Sequence, residues 1–324
     1  MNAAHAPMHV LYRLPRPTKT SGADVPRHVS PAFILTIRIC FIMKDINCNT
    51  NGSNNDIDKN KDDLSRAEGL CRDGESICRV GERISLIQKD RGLRWGTDSY
   101  LLASYLRPSP GLACELGCGS GIISLLAAAH GKFRDIRAIE IQAEHAELAE
   151  RNAELNGLAD IFSPQAGDVR CIRPEELGGR FDVVFSNPPY MRADTGHRSE
   201  TEERLIARHE VCGGIADFCA AAARLLNYGG IFVCVFHPSR LADLFSAMRG
   251  VSLEPKRMTM IHPDAASRPS AVIVEAKLGG SPTLDISRPL IMYEAREAGD
   301  TSRRMTATAA KIYSDCSFGD LFFN

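Results

Sequence analysis

Asn187-Pro188-Pro189-Tyr190 closes an apolar run, Phe181-Asp182-Val183-Val184-Phe185-Ser186, and brings three useful groups together. Each proline fixes φ and removes a backbone donor, so a strand ending here turns rigidly and leaves carbonyls free to accept. The Asn187 side-chain oxygen and the Pro188 carbonyl can each accept one hydrogen of an NH2 group. Tyr190 offers a face on which a flat ring can stack. Together they fit a planar group bearing an amine, such as the amino edge of adenine. Such an amine is a poor nucleophile, and two acceptor dipoles favour the positive charge that grows on its nitrogen during attack. A proline-stiffened loop with no further duty is the competing reading, and a Pro-Pro pair alone would favour it.

A second motif upstream shifts the balance. Leu112-Ala113-Cys114-Glu115-Leu116 reads as a short strand that runs into Gly117-x-Gly119-x-Gly121 and then an apolar helix. Glycines there admit unusual φ and let a ligand approach the backbone, while the helix start offers free N–H groups. A dinucleotide fingerprint needs its third glycine one residue later, where Ile122 stands. The spacing suits S-adenosylmethionine, with its amino-acid part across the loop. Glu140 ends the next strand, about 20 residues on, where an acid can accept both ribose hydroxyls. Gly167-Asp168-Val169 closes a third strand, with an acid and an N–H placed to read adenine. Either acid alone could be a solvated strand end. Four such features at successive strand ends mark one ligand edge of a doubly wound sheet.

In this order the motifs resemble the class I S-adenosylmethionine-dependent methyltransferases that modify amino groups. Within them, residues 81–315 are similar to the bacterial valine-tRNA adenosine N6-methyltransferases. That similarity rests on Gly92-Leu93-Arg94-Trp95-Gly96-Thr97-Asp98-Ser99-Tyr100-Leu101-Leu102, on the segment after Tyr190, on His262-Pro263 followed by Ala271-Val272-Ile273-Val274-Glu275-Ala276, and on Arg288-Pro289-Leu290-Ile291-Met292-Tyr293. The resemblance implies methyl transfer to the N6 of an adenosine beside the anticodon, with tRNA as partner. It implies S-adenosylmethionine held by Glu115, Gly117, Gly119, Gly121, Glu140 and Asp168, with Thr97 and Asn187. Asn187, Pro188 and Tyr190 would carry the chemistry. The base must leave its stack to be reached, which favours loops over duplexes.

The elements that must position these groups follow from the pattern. Residues 83–88, a turn at Asp90-Arg91-Gly92 and residues 93–95 suggest a β-hairpin. Thr97 or Asp98 can cap the next helix; by resemblance this segment instead closes over the cofactor. Trp95, the single tryptophan, reads as packing. Residues 142–156 have helical spacing and Gly157 as C-cap. Residues 216–226 form an alanine-rich helix ended by Gly229-Gly230, then residues 231–236 form a strand. A helix at 241–248 and strands at 258–261 and 270–278 complete the order. The fold class is α/β: a seven-stranded, mostly parallel Rossmann-like methyltransferase sheet with helices on both faces.

The 324 residues leave room for a leader beside one such domain, and a net charge of −1 shows no field for nucleic acid, so RNA must meet a local patch. Residues 191–214 form a candidate substrate lip with Arg192, Arg198, Arg204 and Arg208, though Glu200, Glu202, Glu203 and Glu210 equally suit a solvated helix. Lys256, Arg257 and Arg268 could meet phosphates. Eleven scattered cysteines suit buried thiols in a reduced, cytoplasmic protein; no metal cluster is read, and a monomer is expected. Residues 1–76 read as a disordered leader, with translation starting at Met43, and their apolar run is too short to span a bilayer. Residues 77–281 would be the methyltransferase domain and 282–324 a C-terminal extension packed on it. Glutamine methylation of a release factor uses the same turn, but with a helical N-terminal domain that the leader does not resemble. DNA methylation would need a larger inserted domain. An RNA chaperone without catalysis would not need the intact Asn-Pro-Pro-Tyr turn.

Overall fold

The computed structural model describes residues 69–90, 95–189, 213–295 and 303–323. Tyr190, residues 91–94, the lip up to residue 212, and the leader up to residue 68 with Met43 lie outside the described residues.

Strand β1 (Glu75–Val80) pairs antiparallel with β2 (Ile84–Lys89), and Val80 faces Ile84 across a turn at Gly81. This hairpin precedes the one suggested by the sequence pattern, whose turn and second strand fall largely outside the described residues. Its first strand looks too polar, but Glu75 is bound by Arg151 through two hydrogen bonds of 2.7 and 2.8 Å. Glu75 and Ser76, counted with the leader, thus belong to a strand. Helix α1 (Thr97–Tyr105) follows. Its N-cap is Gly96, with no side-chain cap, so Thr97 and Asp98 sit inside the helix and do not cap it. At the other end the buried Lys132 donates to the carbonyls of Ala103, Ser104 and Leu106 at 2.7, 3.1 and 2.7 Å. It satisfies carbonyls that the helix leaves open.

The large sheet contains β3 (Ala113–Leu116), β4 (Ile136–Glu140), β5 (Phe162–Ala166), β6 (Phe181–Ser186), β7 (Leu226–Phe236), β8 (Leu253–His262) and β9 (Ala271–Leu278). Their order is β5-β4-β3-β6-β7-β9-β8. The strands from β5 to β7 are parallel, and β9 runs antiparallel to both β7 and β8. The seven expected strands are all present. Two short strands, β10 (Asp285–Ile286) and β11 (Leu290–Ile291), add to β8. The chain leaves β3 in one direction for β4 and β5, and returns on its other side with β6. That reversal opens a crevice at the carboxyl ends of β3 and β6.

Side chains alternate between two buried layers, as strand geometry requires. Ala113, Ala138, Val233 and Val235 join one layer with residues of α1, α2 (Ile122–Ala129), α3 (Ala143–Leu155) and α6 (Ala307–Asp315). Cys114, Ile139, Phe232 and Cys234 join the other with α4 (Ile215–Leu225) and α5 (Leu241–Gly250). Strand β7 begins at Leu226, directly after α4, so Gly229 and Gly230 lie within it. Its pairing with β6 is irregular between Phe181 and Val183, and Gly229 has a φ of 81° there. The described cysteines are all free thiols. Among the described residues no helix is long and apolar enough to cross a membrane.

Candidate active site

The glycine loop leaves β3 with Gly117, Gly119 and Gly121 at φ of 72°, 55° and 84°. Such values strain any residue with a Cβ. Gly117 and Cys118 donate their N–H groups to the Ile139 carbonyl at 2.8 and 3.2 Å, tying the loop to β4. Glu140, at the end of β4, accepts from Gly119 N–H through Oε2 at 2.9 Å and from Gln142 N–H through Oε1 at 3.0 Å. Each carboxylate oxygen keeps a lone pair for a ligand hydroxyl.

A cavity of about 260 Å³ lies over this edge. Glu115, Gly117, Gly119, Glu140 and Asn187 line it, as the sequence pattern suggests. Thr97, Gly121, Asp168 and Pro188 do not, although Pro189 and Val169 do. Gly121 is the N-cap of α2, and a Cβ there would come within 2.7 Å of the Phe162 ring; its need for glycine is one of packing. The Asp168 carboxylate is held by Arg170, two residues on, through contacts of 2.6–2.9 Å, which keeps it below its ordinary pKa. Thr97 is the first residue of α1, directly after the N-cap Gly96.

Asn187 is fixed from an unexpected direction. Its Nδ2 donates to Ser99 Oγ on α1 at 3.3 Å, which leaves Oδ1 as the open acceptor. Next to it, Ser186 Oγ donates to the Leu116 carbonyl at 2.7 Å and joins the ends of β6 and β3. Ser99, Gln88 and Trp95 are further wall residues that the sequence pattern does not mark. Asn152 is another such residue. Buried on α3, it accepts from Ile87 N–H at 2.7 Å and donates to the carbonyls of Ile87 and Ser120 at 3.1 and 3.0 Å. One side chain thus holds the hairpin against the glycine loop. Asn156, one turn later, treats Ser85 the same way, at 2.9 and 2.7 Å.

Glu115 is fully buried beneath the loop. Its Oε2 accepts from Ser124 N–H at 3.1 Å and from the Ser124 hydroxyl, while Oε1 makes no hydrogen bond within the protein. Burial pushes its carboxyl up to about 8, against the opposing pull of Ser124.

A family model described as the methyltransferase small domain matches residues 94–249. A protein of Phocaeicola vulgatus named tRNA1(Val) (adenine(37)-N6)-methyltransferase is 30% identical over 186 residues, which span 57% of this chain and 77% of that one. The chain belongs to that family. A protein of the same name from Porphyromonas gingivalis is 27% identical over 200 residues, 60% of this chain and 78% of that one. In fold, the chain is similar to the crystal structure of a predicted O-methyltransferase from Agrobacterium tumefaciens. The TM-score is 0.54 at 23% identity, covering 68% of this chain and 97% of the other.

Family members are methyltransferases, and the methyl donor is S-adenosylmethionine. The cavity fits that group. Glycine loop backbone is open at Gly119, where an added Cβ would meet nothing within 4 Å. Glu140 stands ready for ribose hydroxyls, and Glu115 offers a buried acceptor without a partner, as a cationic group requires. Val169 and Ile141 supply apolar walls for a flat base.

Proposed function

We propose that this chain transfers a methyl group from S-adenosylmethionine to the exocyclic N6 of an adenosine in tRNA, beside the anticodon of a valine tRNA. The anchoring of Asn187 on Ser99 carries the reading, because it turns an acceptor and not a donor toward the reacting amine. Bound S-adenosylmethionine supplies an already activated methyl group. The protein's task is then alignment, which can contribute roughly 7–11 kcal/mol. Asn187 Oδ1 accepts one N6 hydrogen and the Pro188 carbonyl the other, and their dipoles favour the charge that develops on nitrogen. Tyr190 stacks on the base in this scheme.

Glu115, Gly117, Gly119 and Glu140 hold the donor, with Val169 in place of the Asp168 side chain at the base. The methyl-transferring unit begins with β1 at Glu75, two residues before the boundary read from the sequence, and runs to residue 281, with 282–324 packed on it, acting as a monomer in the cytoplasm without a metal. Labelled S-adenosylmethionine, incubated with total tRNA from a strain lacking the gene, tests the reading by nucleoside mass spectrometry. New N6-methyladenosine in a valine tRNA is the expected result. Label in a release factor and none in RNA would move the assignment to glutamine methylation.

A further inference from the structure

Strand directions bring several distant segments to the edge where Asn187 stands. Strand β7 is parallel to β6, and β8, reversed twice through β9, runs the same way. Strand β11 is parallel to β8. The carboxyl ends of β6, β7, β8 and β11 therefore all open on the edge that carries the active site. Adjacent strands lie about 4.8 Å apart, so β8 is about 14 Å from β6 and β11 about 19 Å, on the side away from Glu140.

Hydrogen bonds join three segments there into one platform. Met292 and Tyr293 donate their N–H groups to the carbonyls of His262 and Pro263, both at 2.9 Å. Glu294 N–H donates to the Arg304 carbonyl at 2.9 Å, and Thr306 N–H to the Met292 carbonyl at 3.0 Å. His262 Nδ1 meets the Ser267 carbonyl at 2.9 Å and closes the β8–β9 loop directly before Arg268. Arg268, Arg303 and Arg304 are all exposed on this frame. The Arg303 guanidinium lies over the Tyr293 ring, 5.3 Å from its centroid. Among the described residues no carboxylate is within ion-pair distance of these three, whereas Arg240, Arg249, Arg257 and Lys311 are each paired. Asp264 and Glu294 are the acids of the same described segments. The Asp264 carboxylate is engaged by its own loop, through Ser267 Oγ at 2.8 Å and Ala266 N–H at 3.0 Å.

A guanidinium fork matches the oxygens of a phosphate, and a cation backed by a ring keeps its position. At about 3.4 Å per stacked nucleotide, the span from β6 to β8 and β11 corresponds to about four to six nucleotides, which is the size of a loop. We infer that Arg268, Arg303 and Arg304 form the surface that receives the sugar–phosphate backbone of the RNA flanking the target adenosine. The inference rests on the RNA reading above and adds where the strand runs. Of the three cations that the sequence pattern offers to phosphates, Lys256 is bonded to the Ser281 carbonyl at 2.9 Å and Arg257 is paired with Asp285 at 3.4 Å. Arg268 is the one left for RNA.

Binding of a valine tRNA transcript to the full chain, with S-adenosylhomocysteine present, tests the surface. Replacing Arg268, Arg303 and Arg304 together by Ala is expected to weaken the RNA about tenfold at about 0.1 M salt and to lower the slope of log affinity against log salt by about two. KM for tRNA should rise while the single-turnover rate at saturating tRNA and the affinity for S-adenosylhomocysteine stay within about twofold. Replacing the same three by Lys, which keeps the charge, should restore most of the RNA affinity. Arg249→Ala, which removes one exposed cation beyond α5 on the opposite edge, should leave it unchanged. A triple Ala variant that binds tRNA like the wild type, or an equal loss in Arg249→Ala, would overturn the inference while leaving the RNA reading intact. Should the triple variant fail to fold, Arg268→Ala alone should still lower the salt slope by about 0.7, and an unchanged slope would count against the surface. Wild-type protein that binds no tRNA would sink the RNA reading and the inference with it.

Discussion

Glu115 shows what burial does to a single carboxyl. Its pKa is raised from 4.5 to about 8, so the stability it contributes is fully present below about pH 4.5. That contribution is lost as pH rises through about 8, and it is worth a few kcal/mol at most. The ligand-free protein should therefore melt progressively lower between about pH 5 and pH 8, and Glu115→Gln should flatten the trend, as calorimetry at each pH would show. A ligand ammonium beside this carboxyl favours the charged form. Binding near pH 7 should thus release a proton, read as a dependence of binding heat on buffer ionisation, and Glu115→Gln should abolish it. Asn187 acts on rate. Asn187→Ala is expected to lower single-turnover methylation by about 10²–10³-fold while cofactor affinity, measured by calorimetry, stays nearly unchanged.

Residues at this scale were legible where chemistry and spacing sit close together in the chain. The glycine loop, Glu140 and Asn187 are of that kind. Ser99, Gln88 and Trp95 come to the wall of the same cavity only through tertiary packing, and no local pattern marks them. Asp168 has a local partner, Arg170, only two residues on. That spacing is visible in the sequence and competes with any role at the base.

The elements were legible wherever apolar periodicity is strong, which covers the parallel strands and α3 and α4. Strand β1 is not legible because it has Glu75 and Arg79 on an otherwise weak pattern, and the Arg151 pair that makes Glu75 tolerable comes from a distant helix. The α4–β7 junction failed for a different reason. Glycines that usually end a helix are used here inside a strand, at an irregular pairing. Between hairpin and helix, Asn152 and Asn156 act as a substitute neighbouring strand, pairing with alternate residues Ile87 and Ser85. Asn152→Ala leaves an N–H and two carbonyls without partners. A loss of about 1–3 kcal/mol in denaturant unfolding is expected. Donor affinity should fall as well, since Gln88 and the Ser120 loop are no longer held together. Asn156→Ala, which leaves the loop bond intact, should lower stability without that loss of affinity.

At the level of the whole molecule, the site depends on the last helix. Tyr313 of α6 stacks on Tyr100 of α1 with ring centroids 4.4 Å apart, and the Tyr100 hydroxyl donates to the Tyr313 carbonyl at 2.7 Å. Tyr105, at the far end of α1, meets Phe318 and Phe323 edge to face, each at 5.1 Å. Helix α1 is therefore clamped from outside along its length, and with it Ser99. Tyr313→Ala should cost about 2 kcal/mol or more of stability. It should also slow methylation through a loosened Ser99, whereas Tyr313→Phe, keeping the stack, should retain most of both. Melting curves and single-turnover rates on the three proteins would check this.

The order of synthesis gives the sheet's wing a particular vulnerability. Strand β8 is made before β9 but touches the central strands only through it, and β10 and β11 reach the sheet only through β8. A chain that ends within residues 263–270 leaves β8 with no neighbour on either side and β7 with an uncovered edge. Unpaired edges of this sort are templates for other chains. Messages cut short in that interval would yield an aggregating product in place of a partly working enzyme.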